Sequence, residues 1–204
     1  MEAPDLPGHG TDKTLIQEVT LQSCVDKVCS IIETHSKPVI LVGHSLAGLV
    51  VSQVAEQIPE KVRLSVYLTA DLLADGESLL SEFEQCRQFI DISRDQSHFT
   101  VKNGAVAKLF YNDCSPDDIA KAKKLLCPEA TVMFKTPVHL SRERYGRVPR
   151  IYIECLRDRT HLPSYQKAMY TASPCLRVFS LDTSHSPFLS APEQLANCLL
   201  SLAG

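Results

Sequence analysis

The chain of 204 residues has no excess of basic charge: 21 Lys and Arg stand against 24 Asp and Glu, for a formal net charge of -3. Without such an excess nothing neutralises a run of phosphates or draws the protein to an anionic lipid surface, so no nucleic acid and no membrane partner is expected. No apolar run approaches the roughly 20 residues that cross a bilayer. The longest are short pieces such as Val39 to Val42 and Gly48 to Val51. The first residues, Met1-Glu2-Ala3-Pro4-Asp5, lack a basic region followed by an apolar one, and a cytoplasmic location is the expectation. None of the three Asn residues begins an Asn-x-Ser/Thr site. The eight cysteines include no Cys-x-x-Cys pair and sit mostly in apolar periodic stretches, which reads as buried reduced thiols.

Nucleotide and metal signatures are missing too. There is no Gly-x-Gly-x-x-Gly, no phosphate-binding loop, and no second ligand spaced to join His35, His98 or His139, so neither a metal nor a cofactor is expected. What is present is a globular composition, 44% hydrophobic and 22% charged, which excludes disorder, collagen and coiled coil. The length allows one domain with an insertion.

Apolar residues Leu21, Cys24, Val25, Val28, Ile31 and Ile32 recur at helical spacing behind Thr20, a natural N-cap. Val39-Ile40-Leu41-Val42 is a continuous β-branched and apolar run, as in a parallel strand covered on both faces. A helix over 46–57, a strand over 62–68, a strand over 150–155, a helix over 164–170, a strand over 176–181 and a closing helix over 192–202 follow. Strands alternating with helices predict an α/β fold with a mostly parallel sheet flanked by helices. Between its halves, helical pieces over 78–89, 101–109 and 116–126 separated by loops predict an inserted helical cap. The expected division is a core of residues 1–71 and 148–204 with a cap of residues 72–147. Arg142, Arg144, Arg147 and Arg150 read as a solvated face where the cap rejoins the sheet.

The most informative residues are Gly43-His44-Ser45-Leu46-Ala47-Gly48, between an apolar strand and a helix. A serine hydroxyl is a poor nucleophile unless it is exposed beside a base, and the tight turn that exposes it tolerates only small flanking residues. Gly43 and Ala47 supply them in a Gly-x-Ser-x-Ala form of the nucleophile elbow, and Gly48 keeps the helix start close to its neighbours. The Leu46 N–H, at the helix start, is then the expected oxyanion donor. An acid and a histidine should follow at later strand ends. Asp158 lies just past the strand ending at Cys155, and His185 lies just past the strand ending at Leu181. Ser45, Asp158 and His185 form the expected triad. Asp182, three residues before His185, is the less favoured acid. His161 reads as a loop residue, His9 as structural, and His44 as a neutral structural or pocket-lining residue.

With these residues placed, the chain resembles the α/β-hydrolase family of plant methylesterases and hydroxynitrile lyases and their bacterial relatives. The resemblance rests on Asp5-Leu6-Pro7-Gly8-His9-Gly10-Thr11, Val39 to Gly48, Val66-Tyr67-Leu68-Thr69-Ala70, Cys114-Ser115-Pro116-Asp117-Asp118, Arg144 through Asp158, and Ser184-His185-Ser186-Pro187-Phe188. It implies cofactor-free hydrolysis of small, apolar carboxylic esters, often methyl esters, in a pocket roofed by the cap. His44, Phe83, Phe110 and Phe134 are candidate substrate-binding residues, with Phe89, Leu109 and Met133 beside them; a homodimer is one assembly open to the chain. Lyase chemistry is not expected, because Ser186 stands where the lyase branch carries lysine.

The resemblance also implies an apolar strand and a His-Gly loop ahead of the point where this chain begins, the loop giving a second oxyanion donor. Without them the strand at 39–42 is expected to have an uncovered edge. Two readings follow: a serine carboxylesterase, or a non-catalytic hydrolase-fold protein that binds a small ligand or a partner. Asp71 raises a question of its own, since an acid near the elbow disfavours anionic substrates and acid products.

Overall fold

A computed structural model describes residues 2–203. Helix α1 (Leu21–Glu33) is capped by Thr20, whose side chain accepts from the Ser23 N–H while Ser23 answers the Thr20 N–H. It leads into β1 (Val39–His44), α2 (Ala47–Gln57) and β2 (Val62–Leu68). The inserted segment then contributes α3 (Leu80–Cys86), β3 (Ile90–Ile92), β4 (His98–Val101), α4 (Asn103–Phe110), α5 (Pro116–Leu125), β5 (Glu129–Ala130) and α6 (Val132–Lys135). The chain closes with β6 (Arg150–Cys155), α7 (Pro163–Ala172), β7 (Arg177–Leu181), α8 (Pro187–Ser190) and α9 (Pro192–Ser201).

The main sheet runs β1-β2-β6-β7 with every pair parallel, so all its carboxyl ends, and the loops after them, lie on one rim. Alternation along the strands splits the core. Tyr67 and Tyr152 face α2 and α7, where they pack with Val51, Leu72 and Met169. Val66, Leu68, Ile153, Cys155 and Leu181 face the other side and meet Leu195 of α9. Burying each such side chain stabilises the fold by about 1.5–3 kcal/mol. The buried tyrosines also find partners: Tyr152 donates to the Ala70 carbonyl at 2.9 Å, and the Tyr67 hydroxyl lies 2.9 Å from that of Ser52.

Three features differ from the sequence expectations. Among the described residues β1 pairs only with β2, and Val42 is exposed with Ile40 and Leu41 half-buried; its run is not covered on both faces. The inserted segment is not purely helical, since β3, β4 and β5 form a small antiparallel sheet. Val101 ends a strand and the helix starts two residues later, because Phe99 and Ile90 turn inward to pack with Phe83 and Phe134. Arg144 also departs from a purely solvated face: its guanidinium donates to the carbonyls of Glu56 and Gln57 and so caps the C-terminus of α2.

Gly48 is held against the backbone after β2, where an added Cβ would collide with the Asp71 carbonyl, whereas an added Cβ on Gly104 in α4 meets nothing within 4 Å. Urea denaturation should therefore show Gly48→Ala destabilised by about 1–3 kcal/mol, as for overpacking. Gly104→Ala should be neutral or stabilised by up to about 1 kcal/mol. Equal effects from the two changes would contradict this packing.

Candidate active site

The turn between β1 and α2 puts Ser45 in the left-handed region, at φ 54°. Three backbone bonds hold it there: its N–H donates to Leu68 O at 3.3 Å, and its carbonyl accepts from Gly48 N at 3.0 Å and Asp71 N at 3.1 Å. A Cβ on Gly43 would sit 2.6 Å from Val51 Cγ2 and 2.8 Å from the Ala47 carbonyl, so the small residues ahead of the serine are a steric requirement. Among the described residues the Leu46 N–H has no hydrogen-bond partner, and it stands at the positive end of α2.

His185 and Asp158 come from the loops after β7 and β6 and meet in the interior. Their side chains are 3% and 0% exposed, and His185 Nδ1 lies 2.7 Å from Asp158 Oδ2. The same oxygen accepts from Thr69 Oγ1 at 2.5 Å, while Oδ1 accepts from the N–H groups of Thr160 at 2.7 Å and His161 at 2.9 Å. Burial raises the Asp158 pKa, but the His185 and Thr69 bonds outweigh it and hold the carboxyl below its ordinary value. Burial also pushes His185 below the ordinary imidazole value, with Asp158 opposing. A neutral imidazole beside an anionic carboxylate has its Nδ1–H directed at Asp158 and its Nε2 free to accept a proton. Among the described residues no hydrogen bond joins the Ser45 hydroxyl to His185.

The His185 loop is clamped from two directions. Asp113 of the inserted segment accepts from the Ser184 N–H at 2.7 Å and from the Ser184 hydroxyl. His44 Nε2 donates to the His185 carbonyl at 2.7 Å, and its ring packs 4.6 Å from that of His185. Burial and the neighbouring His185 ring push His44 down to about 3, so it serves as a neutral brace. Asp182 is turned away and pairs with Arg157 at 3.1 Å.

A chamber of about 630 Å³ opens between the sheet rim and the inserted segment, and Ser45 and Leu46 lie in its wall. Phe83, Phe89, Leu109, Phe110 and Phe134 line it. Met133 and His44 do not: Met133 is buried in the main core, and His44 is occupied with His185. Two histidine–carboxylate pairs also reach the chamber. His161 Nε2 lies 3.2 Å from Asp71 Oδ1, and His9 Nε2 lies 3.3 Å from Glu129 Oε2. Burial lowers the His161 pKa, but Asp71 more than reverses this and raises it to about 9. The Glu129 carboxylate likewise raises His9 to about 9. Asp71 therefore presents its charge already paired, which removes much of the repulsion expected of it.

Asp158, His161 and His185 are also the described residues whose ligand atoms lie close enough, within 4.8 Å, to suggest a metal site. Both Asp158 oxygens and both nearby ring Nδ1 atoms are already committed to the bonds above or, for His161, to the Thr69 carbonyl at 2.8 Å. With these commitments the set leaves few free lone pairs for a cation.

Comparison with known proteins agrees with the fold. The alpha/beta hydrolase family matches residues 2–197. The chain belongs to the α/β-hydrolase family. It is 30% identical to the pyrethroid hydrolase of Sphingobium wenxiniae, covering all of this chain and 77% of that protein. It is 28% identical to methylesterase 17 of Arabidopsis thaliana, covering 98% and 79%. The crystal structure of a pyrethroid hydrolase from Sphingobium faniae superposes with a TM-score of 0.88 at 28% identity, covering 98% of this chain and 85% of that one. The chain spans about half the length of the chloroplastic Arabidopsis thaliana relatives it also matches.

Within this hydrolase fold the sequence reading missed Thr69, Asp113 and the pocket role of His161. Thr69 adopts φ 37°, rare for a β-branched residue, which brings its hydroxyl to Asp158. Because the folded pKa of His161 is raised, the stability it contributes is complete below about pH 6.5 and is lost as pH rises through about 9. Urea denaturation should show wild type losing more stability between those pH values than His161→Gln does. Identical losses would contradict the ion pair.

Proposed function

We propose that this α/β-hydrolase is a serine ester hydrolase acting on small apolar carboxylic esters, methyl esters among them, with Ser45, Asp158 and His185 as its triad. The observation that carries the reading is the buried 2.7 Å contact between His185 Nδ1 and Asp158, on the same rim as an elbow serine. Relatives named as methylesterases and pyrethroid hydrolases support it. Ser45 Oγ attacks the ester carbonyl carbon while its proton passes to His185 Nε2. Asp158 stabilises the resulting imidazolium, and the Leu46 N–H donates to the oxyanion. The carbon–alkoxy bond then breaks, the alcohol leaves with the His185 proton, and water repeats the cycle to free the acid and Ser45.

The open Ser45–His185 contact favours a second reading, a hydrolase-fold protein that holds a ligand in the chamber without turning it over. Catalytic hydrogen bonds are often long in the free enzyme and tighten with substrate, which keeps the first reading ahead. A fluorophosphonate probe separates the two. Labelling at Ser45 that vanishes in Ser45→Ala is expected, with His185→Gln lowering p-nitrophenyl ester turnover about 10³-fold or more. A folded protein that takes no label supports the second reading. The acid limb of kcat/KM should have its midpoint below about 6.5, because burial disfavours the charged His185. A midpoint above that value would assign the limb to another group.

A further inference from the structure

Asp71 is the least explained polar group in the chamber. It is 3% exposed and lies in the wall that also holds Ser45, yet neither carboxylate oxygen accepts a hydrogen bond from the described residues. Oδ1 is fully enclosed and lies 3.2 Å from His161 Nε2 as an ion pair. Oδ2 also accepts no bond from the described residues and is not among the fully enclosed atoms, and Asp71 lines the chamber wall. A buried carboxylate without donors is costly, and native structures supply donors to such groups from the protein, from water or from a ligand. The Tyr165 hydroxyl, which shares the chamber wall with Asp71, donates to Glu82 Oε1 at 3.2 Å instead.

We propose that Asp71 recognises a hydroxyl group on the substrate: Oδ2 accepts a hydrogen bond from a hydroxyl carried near the scissile carbonyl, while His161 neutralises and orients the carboxylate. This rests on the ester-hydrolase reading of the chamber and names its substrate class as hydroxylated esters. Proximity to the reacting centre follows from the backbone, since the Asp71 N–H donates to the Ser45 carbonyl at 3.1 Å. A neutral donor fits better than an ammonium group, because the His161–Asp71 pair already balances its own charge in apolar surroundings. A carboxylate accepts only, so a substrate offering a second carboxylate or a bare carbonyl at this point finds no partner.

The test is calorimetric binding to Ser45→Ala, which keeps Asp71 and His161 intact and does not consume the ligand. The ligands are methyl phenylpropanoate and its derivatives bearing one hydroxyl, or one amine, on the chain carbons. At least one hydroxylated derivative should bind about tenfold tighter than the parent, as a charge-assisted hydrogen bond allows. In Ser45→Ala carrying Asp71→Leu and His161→Leu the preference should fall below about twofold. Equal affinity of the parent and every hydroxylated derivative, or tighter binding of an amine than of any alcohol, would overturn the assignment. So would failure of every ligand to bind. Wild-type turnover tests the underlying reading separately. Hydrolysis without hydroxyl preference would sink the hydroxyl site alone, and hydroxyl preference without hydrolysis would sink the esterase reading alone.

Discussion

The site depends on one buried contact, that between the Asp158 carboxylate and the His185 imidazole. An ionised carboxylate with no exposed side-chain surface is unfavourable unless donors surround it. The chain provides four: the Thr69 hydroxyl, the Thr160 and His161 amides and the His185 ring. Much of the local architecture follows from that requirement. The loop after β6 folds back to present two amides, β2 ends in a strained Thr69, and the loop after β7 is fastened at Ser184 and at the His185 carbonyl. Removing any one donor leaves charge uncompensated in the interior, where a missing partner costs more than an ordinary hydrogen bond contributes.

The chamber repeats the same physics with a different result. Its phenylalanine lining comes from the inserted segment, and two histidine–carboxylate pairs are among its polar groups. The same residue type thus occupies three electrostatic states around one site. His44 is driven neutral by burial, His185 is held below its ordinary value by burial, and His161 is held protonated by Asp71. Separate environments set the protonation of chemically identical groups independently within a few ångströms.

How much of this was legible in the sequence follows the range of the forces involved. The core elements were readable because burial imposes periodicity: β2 and β6 match the expected bounds, and Thr20 caps α1 as its residue type implied. Ser45, Asp158 and His185 could be picked out as candidates because an elbow and two strand ends are local features. The small sheet of the inserted segment escaped, since strands of two to four residues carry too little alternation to be told from helix starts. Thr69, Asp113 and the His161–Asp71 pair escaped for another reason. Each acts across 71 to 92 residues of chain, as in the Asp113–Ser184 and Thr69–His161 bonds, and no spacing rule reaches that far. Asp71 was seen as a discordant acid, but its pairing with His161 was not.

Nitrogen NMR of the His185 ring at neutral pH tests the central claim most directly. The predicted state is a neutral imidazole with its proton on Nδ1, shared with Asp158, and an unprotonated Nε2. A ring carrying its proton on Nε2, or protonated on both nitrogens at that pH, would contradict the account.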